Sequence, residues 1–295
     1  MSFDPAILVV PGVRSLQPYQ PGKNIEELER ELGISGIVKL ASNENPRAPS
    51  ASVGRAVTQM LPELSRYPDG GGFYLKQALA DQLAVAPGQI TLGNGSNDVL
   101  ELITRAFVRP GQGVIVSQHS FAVYTLAAKS VGANLRVVPA IHWGHDLDGM
   151  AEVVDSETRI IFIANPNNPT GTWVSRDSLI DFLDSIPKHV LVVLDEAYFE
   201  YVEEENYPDG IQLLSHYPGL IVTRTFSKIY GLAGLRVGYS VSSSKISEIL
   251  NRVRQPFNVN VLGNVAALAA LEDEEFVVES RTLNRKQMNR ICEDL

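Results

Sequence analysis

From about residue 89 onward, short apolar runs rich in β-branched residues alternate with stretches whose apolar positions recur at helical spacing. The runs cover residues 89–92, 113–117, 135–139, 159–164, 190–194, 220–225 and 238–241. Helical spacing covers 98–108, 124–131 and 175–185, the last opened by Ser175 as an N-cap. Such alternation predicts an α/β fold with a mostly parallel, buried central sheet and flanking helices. The first 45 residues lack this rhythm. There, Pro11-Gly12, Pro18-Tyr19 and Pro21-Gly22 mark an irregular arm, interrupted by a helical stretch at 25–31 and expected to pack elsewhere than the main sheet. After Pro256 the pattern is helical over 261–271 and again from 274, and no capping signal closes the last helix. Three parts are therefore expected: an N-terminal arm and small-domain segment (1–45), a large ligand-binding domain (46–257), and the truncated start of a C-terminal small domain (258–295).

Composition narrows the function classes. A hydrophobic content of 44% over 295 residues fits a globular chain with a substantial core. The 25 basic and 34 acidic residues give a net charge of -9 and no dense basic tract, so no nucleic acid is expected as a partner. No run of eighteen apolar residues occurs, so no membrane span is expected. The single cysteine, Cys292, excludes intrachain disulfides and a cysteine zinc site, which makes a reducing, cytoplasmic setting the default. His142 and His145 are spaced i, i+3 without a clear third ligand, and Glu203-Glu204-Glu205 reads as a solvated face, so no metal is expected.

Ligands of open α/β sheets gather at the carboxyl ends of the strands. Asn165, Asp195 and Thr225 fall there, and just beyond comes Thr225-Phe226-Ser227-Lys228, with Arg236 eight residues after the lysine. A lysine amine beside hydroxyls and a guanidinium is what a pyridoxal 5'-phosphate site needs: the amine forms an imine with the aldehyde while the others hold the phosphate. Asp195 ends an apolar run, where a buried carboxylate needs a compensating cation; a protonated pyridine nitrogen is one, a helix-capping or arginine-paired role the alternative. Tyr198 and Asn168 could hydrogen-bond the ring's phenolic oxygen, or could be a packed aromatic and a turn residue before Pro169. Gly93-Asn94-Gly95-Ser96-Asn97-Asp98 ends a strand and opens a helix, a place for a phosphate on free backbone N–H groups. It lacks the third glycine of a dinucleotide fingerprint, and no Walker A pattern occurs. In Ser120-Phe121-Ala122-Val123-Tyr124 either aromatic could stack on the ring or pack in the core.

These residues resemble the fold type I pyridoxal phosphate enzymes, and within them the histidinol-phosphate aminotransferases. Residues 16–23 (LQPYQPGK) are similar to that family's N-terminal arm, 40–46 (LASNENP) to its next segment, and 255–260 (QPFNVN) to the stretch leading into its small domain. Arg66-Tyr67-Pro68-Asp69 resembles the tyrosine loop that crosses to a partner subunit. The resemblance implies that Lys228 forms the imine, Asp195 meets the pyridine nitrogen, and Asn168 and Tyr198 meet the phenolic oxygen. Gly95, Ser96, Ser227 and Arg236 would hold the phosphate, with Asn97 and Thr225 also at the cofactor. Phe121 takes the ring-stacking position that is more often Tyr. Tyr67 would act across a homodimer interface, and Tyr19 and Asn43 would contact substrate. Family members continue past residue 295, and the C-terminal arginines that bind substrate carboxylate are expected in the missing part; Arg285 and Arg290 are not assumed to replace them.

The activity implied by the resemblance is a ping-pong transamination of the small molecules L-histidinol phosphate and 2-oxoglutarate to imidazole acetol phosphate and L-glutamate, in histidine biosynthesis. Lys228 would move the proton and Asp195 would stabilise the ring's charge. Alternatives are an aromatic amino-acid aminotransferase or phosphothreonine decarboxylase of the same fold, and a cofactor-binding fragment without turnover. A nicotinamide oxidoreductase is the weakest, for want of a glycine fingerprint.

Overall fold

The computed structural model describes residues 3, 8–14, 16–18 and 22–295. Two helices lie in the arm, α1 (Pro11–Arg14) and α2 (Ile25–Leu32), the second capped by the Asn24 side chain. Helices α3 (Ala51–Met60) and α4 (Phe73–Leu83) precede the sheet. Few of their residues face the core: Val53 in α3, and Leu75, Leu79 and Ala80 in α4.

Strands and helices then alternate: β1 (Ile90–Gly93), α5 (Ser96–Phe107), β2 (Gly113–Ser117), α6 (Ala122–Ser130), β3 (Asn134–Val138), α7 (Leu147–Glu152), β4 (Thr158–Ala164) and α8 (Arg176–Ser185). The second half holds β5 (Leu191–Asp195), α9 (Gly210–Leu213), β6 (Leu220–Thr225), β7 (Gly238–Val241) and α10 (Ser244–Val253), followed by α11 (Val261–Leu271) and α12 (Glu274–Asp294). Each apolar run of the sequence is a strand, its ends matching or differing by a single residue.

The seven strands form one sheet in the order β1-β7-β6-β5-β4-β2-β3. Only β7 runs against its neighbours, antiparallel to both β1 and β6. The sheet is thus mostly parallel, as the alternation predicts. Both faces are covered, and successive residues of a strand serve different cores. Ile161, Ile163, Val192 and Leu194 face one side with Leu79 of α4 and Leu179 of α8. Ile160, Phe162 and Val193 face the other with Ile103 of α5, Tyr124 of α6 and Leu250 of α10. Each fully buried aliphatic side chain contributes about 1.5–3 kcal/mol to this frame.

Topology decides where a ligand can enter. From β2 the chain moves outward to the edge strand β3, then returns across β2 to β4 and continues the other way. Helix α6, after β2, packs on one face, while α8, after β4, packs on the opposite face. The carboxyl ends of β2 and β4 therefore diverge into a crevice at the point where the strand order reverses.

Candidate active site

A cavity of about 370 Å³ opens at the carboxyl ends of the strands, within the size range of small-molecule sites. Every parallel strand next to the crevice sends a residue into it: Ser96 and Asn97 after β1, Phe121 after β2, Ala164 from β4 and Asn168 after it, Asp195 from β5, and Thr225, Ser227 and Lys228 from β6 and its loop. The arm closes the opposite wall with Ser42 and Asn43.

Asp195 forms the floor, with only 4% of its surface exposed. Burial pushes its carboxyl group up in pKa, and hydrogen bonds from Tyr124, Thr223 and the Ala197 backbone work in the opposite direction. The Tyr124 hydroxyl donates to Oδ2 at 2.7 Å and the Thr223 hydroxyl to Oδ1 at 2.9 Å. Neither hydroxyl is predicted from the sequence as a partner of Asp195. The Tyr124 ring does not stack in the cavity as an alternative to Phe121; it stacks on Phe162, centroids 4.7 Å apart and planes 2° apart, within the core.

Lys228 is half-buried, and burial lowers its pKa from the ordinary lysine value. Its Nζ donates to the Ser42 carbonyl at 3.0 Å and the Asn43 carbonyl at 3.5 Å. Both residues have positive φ, 70° and 49°, which turns this stretch of the arm over the lysine. Beside it the Tyr198 hydroxyl accepts hydrogen bonds from Asn43 Nδ2 at 3.0 Å and Asn168 Nδ2 at 3.3 Å. Lys228 Nζ lies 5.5 Å from the Tyr198 ring centre.

The third corner is an anion cradle. Helix α5 starts at Gly95 without a side-chain cap, so its first backbone N–H groups remain available and its dipole favours negative charge. Arg236 lies across this end, its Nη1 donating to Ser227 Oγ at 3.3 Å and the Ala233 carbonyl at 3.0 Å. Glycine is required beneath it. A Cβ on Gly95 would sit 2.2 Å from Arg236 Nη2, and a Cβ on Gly238 would sit 2.3 Å from the Ser96 nitrogen.

Two buried clamps hold the strand ends in place. Asn165 bonds Val174 twice, accepting from its N–H at 2.8 Å and donating to its carbonyl at 3.1 Å, which folds the loop carrying Asn168 back on itself. The peptide bonds before Pro166 and Pro169 in that loop are cis. Beneath Asp195, Glu196 Oε2 accepts from Arg224 Nε at 2.9 Å and Nη2 at 2.7 Å. Arg224 also reaches Asp209 at 2.7 Å and lies 3.5 Å from the centre of the Phe199 ring. Burial opposes its charge, but the Glu196, Glu200 and Asp209 carboxylates hold the guanidinium charged. The pair ties the end of β5 to the end of β6.

Of the residues singled out in the sequence, Asn43, Ser96, Asn97, Phe121, Asn168, Asp195, Tyr198, Thr225, Ser227, Lys228 and Arg236 line this one cavity. Gly95 lies under Arg236. Tyr67 is elsewhere: it is 83% exposed and stacks on Phe257 at 4.7 Å. Tyr19 lies outside the described residues. Arg285 pairs with Glu203 and Arg290 with Asp294, and neither lines the cavity. His145 bonds the Ala164 carbonyl at 2.9 Å.

A sheet of this order with a lysine, a buried aspartate and an anion cradle at its carboxyl ends has the architecture of the fold type I aminotransferases. Residues 35–295 match the family model for aminotransferase class I and II. Histidinol-phosphate aminotransferase 2 of Pseudomonas fluorescens Pf0-1 is 55% identical over 293 residues, covering 99% of this chain and 79% of that protein. The protein of the same name from Pseudomonas aeruginosa PAO1 is 54% identical over 286 residues, 96% of this chain and 78% of its own length. The crystal structure of histidinol-phosphate aminotransferase from Sinorhizobium meliloti in complex with pyridoxal-5'-phosphate superposes with a TM-score of 0.88 at 33% identity, covering 96% of this chain and 77% of that one. The chain belongs to the class I and II aminotransferases and, within them, to the histidinol-phosphate aminotransferase family.

Proposed function

We propose that this chain transfers the amino group of L-histidinol phosphate to 2-oxoglutarate, giving imidazole acetol phosphate and L-glutamate in histidine biosynthesis, with pyridoxal 5'-phosphate held in the cavity described above. The observation that carries the proposal is the meeting of three unlike groups in one space: the Lys228 amine, the buried Asp195 carboxylate and the cradle of α5 and Arg236. The donor set fits the cofactor, which carries an aldehyde, a basic ring nitrogen and a phosphate. When bound, pyridoxal phosphate supplies an aldehyde for imine formation and a ring that withdraws electrons.

Each residue then has a task. Burial keeps the Lys228 amine readily deprotonated, which suits it first to bond the aldehyde and then to carry a proton from the substrate carbon that bears nitrogen. Asp195 provides the fixed negative charge at the ring nitrogen. Ser96, Ser227 and Arg236 hold the phosphate, with Asn97 and Thr225 beside them; Asn168 and Tyr198 hold the phenolic oxygen, and Phe121 covers the ring face. Asn43, already bonded to Tyr198, is placed to sense substrate, and Tyr19 is assigned to substrate by family likeness.

A homodimer with shared sites is part of the proposal. Tyr67, stacked on Phe257, and the edge-to-face pair Phe73 and Tyr74 at the start of α4 are all exposed, and exposed apolar surface of this kind marks protein contacts. The reading is tested by incubating the cofactor-loaded protein with 2-oxoglutarate and either L-histidinol phosphate or an aromatic amino acid, and measuring glutamate. Glutamate from histidinol phosphate supports it. Preference for the aromatic amino acid, or no product from either, overturns it.

A further inference from the structure

We infer that Tyr124 is a positioning residue for Asp195, its hydroxyl acting with that of Thr223 to hold the carboxylate ionised and aimed at the ring nitrogen of the bound cofactor. This rests on the functional reading above and adds residues that the reading does not use.

Tyr124 has little freedom. Its surface is fully buried, its ring is stacked on Phe162, and the edge of Phe121 meets it at 5.8 Å and 87°. A buried phenol must find an acceptor, and this one finds Asp195 Oδ2 at 2.7 Å. One turn of α6 separates Phe121, at the start of that helix, from Tyr124, so both project from the same side of the helix. A single helical turn thus supplies the aromatic that faces the cavity and the hydroxyl that fixes its floor. Thr223 on β6 holds the other carboxylate oxygen, so the carboxylate is gripped from two elements at once.

The electrostatic consequence follows from burial. A dry carboxylate drifts toward its neutral form, and hydroxyl donors to the charged form oppose that drift. The other groups facing Asp195 are the Ala197 N–H, Lys228 and the more distant Tyr207. Lys228 is committed to the aldehyde, so when cofactor is bound the two hydroxyls are the fixed side-chain groups that keep the carboxylate charged. Loss of either weakens the counter-charge at the ring nitrogen. With that counter-charge weakened, Asp195 would no longer keep the ring nitrogen protonated, and the Lys228 nitrogen would hold its own proton to higher pH.

The test is Tyr124→Phe, which removes one oxygen and keeps the ring stack, beside Thr223→Val, which removes the other hydroxyl. Wild type and both variants are loaded with pyridoxal phosphate, and the visible band is titrated with pH while cofactor affinity is measured separately. The expected result is a midpoint raised by about one pH unit in each variant and affinity about tenfold weaker, with the thermal midpoint of the cofactor-free protein unchanged in at least one. Wild-type midpoints in both variants overturn the inference. A wild-type protein that forms no band at all overturns the functional reading itself, and the inference with it.

Discussion

Lys228 Nζ rests 3.0 Å from the carbonyl oxygen of Ser42, a residue 186 positions earlier in the chain. The arm that lacks the rhythm of the sheet therefore meets the reactive amine directly, through its backbone. The amine sits between that carbonyl and the strand ends, partly shielded from water, and this lowers its pKa.

The sign of the pH dependence follows. A lowered pKa means that the neutral amine appears at lower pH than in an ordinary lysine, so the rate of pyridoxal phosphate capture should rise through a midpoint below 10.5. The charge of Glu44 raises the Lys228 pKa, so Glu44→Gln should move that midpoint lower still. Stopped-flow absorbance across pH reads both. A midpoint at the ordinary lysine value, or an upward shift in the variant, would refute the environment described for Lys228.

Gly95→Ala should damage phosphate recognition specifically. The added methyl collides with the Arg236 guanidinium at 2.2 Å, and the residue's φ of 82° disfavours any side chain. Binding of pyridoxal phosphate should weaken by about ten- to a hundredfold, in line with the loss of charge-assisted hydrogen bonds. Binding of unphosphorylated pyridoxal should change far less. Fluorescence titration with the two compounds decides, and an equal loss for both would show that the cradle does not hold the phosphate.

Arg224→Met should destabilise the protein by about 3–5 kcal/mol, because it strands the buried Glu196 carboxylate without its cation. Adding Glu196→Gln should recover part of the loss, since the orphaned charge is then gone. Urea denaturation of the three proteins measures this; a single variant as stable as wild type would mean the clamp between β5 and β6 carries no weight.

The fold was highly legible because strand-forming runs and their faces are local properties. Residues 113–117 and 220–225 are read from sequence with the boundaries seen in the structure, while 89–92 becomes Ile90–Gly93. Helices α7 and α9 escape the pattern for want of length, spanning six residues and four. The site shows the same division. Lys228, Arg236 and the start of α5 carry their chemistry in side-chain type and spacing. The partners of Asp195 do not: Tyr124 is 71 positions away and Thr223 is 28, and only the crossing of α6, β5 and β6 brings their hydroxyls to it. The role of Ser42 is played by a carbonyl, which every residue has.

The most direct measurement is borohydride reduction of the pyridoxal phosphate-loaded protein, followed by peptide mass mapping, with and without prior addition of L-histidinol phosphate and no keto acid. The account predicts one stable adduct, on the peptide containing Lys228, absent from Lys228→Ala and strongly reduced once the amino donor has reacted. An adduct on another lysine, or one on Lys228 that histidinol phosphate leaves untouched, would contradict it.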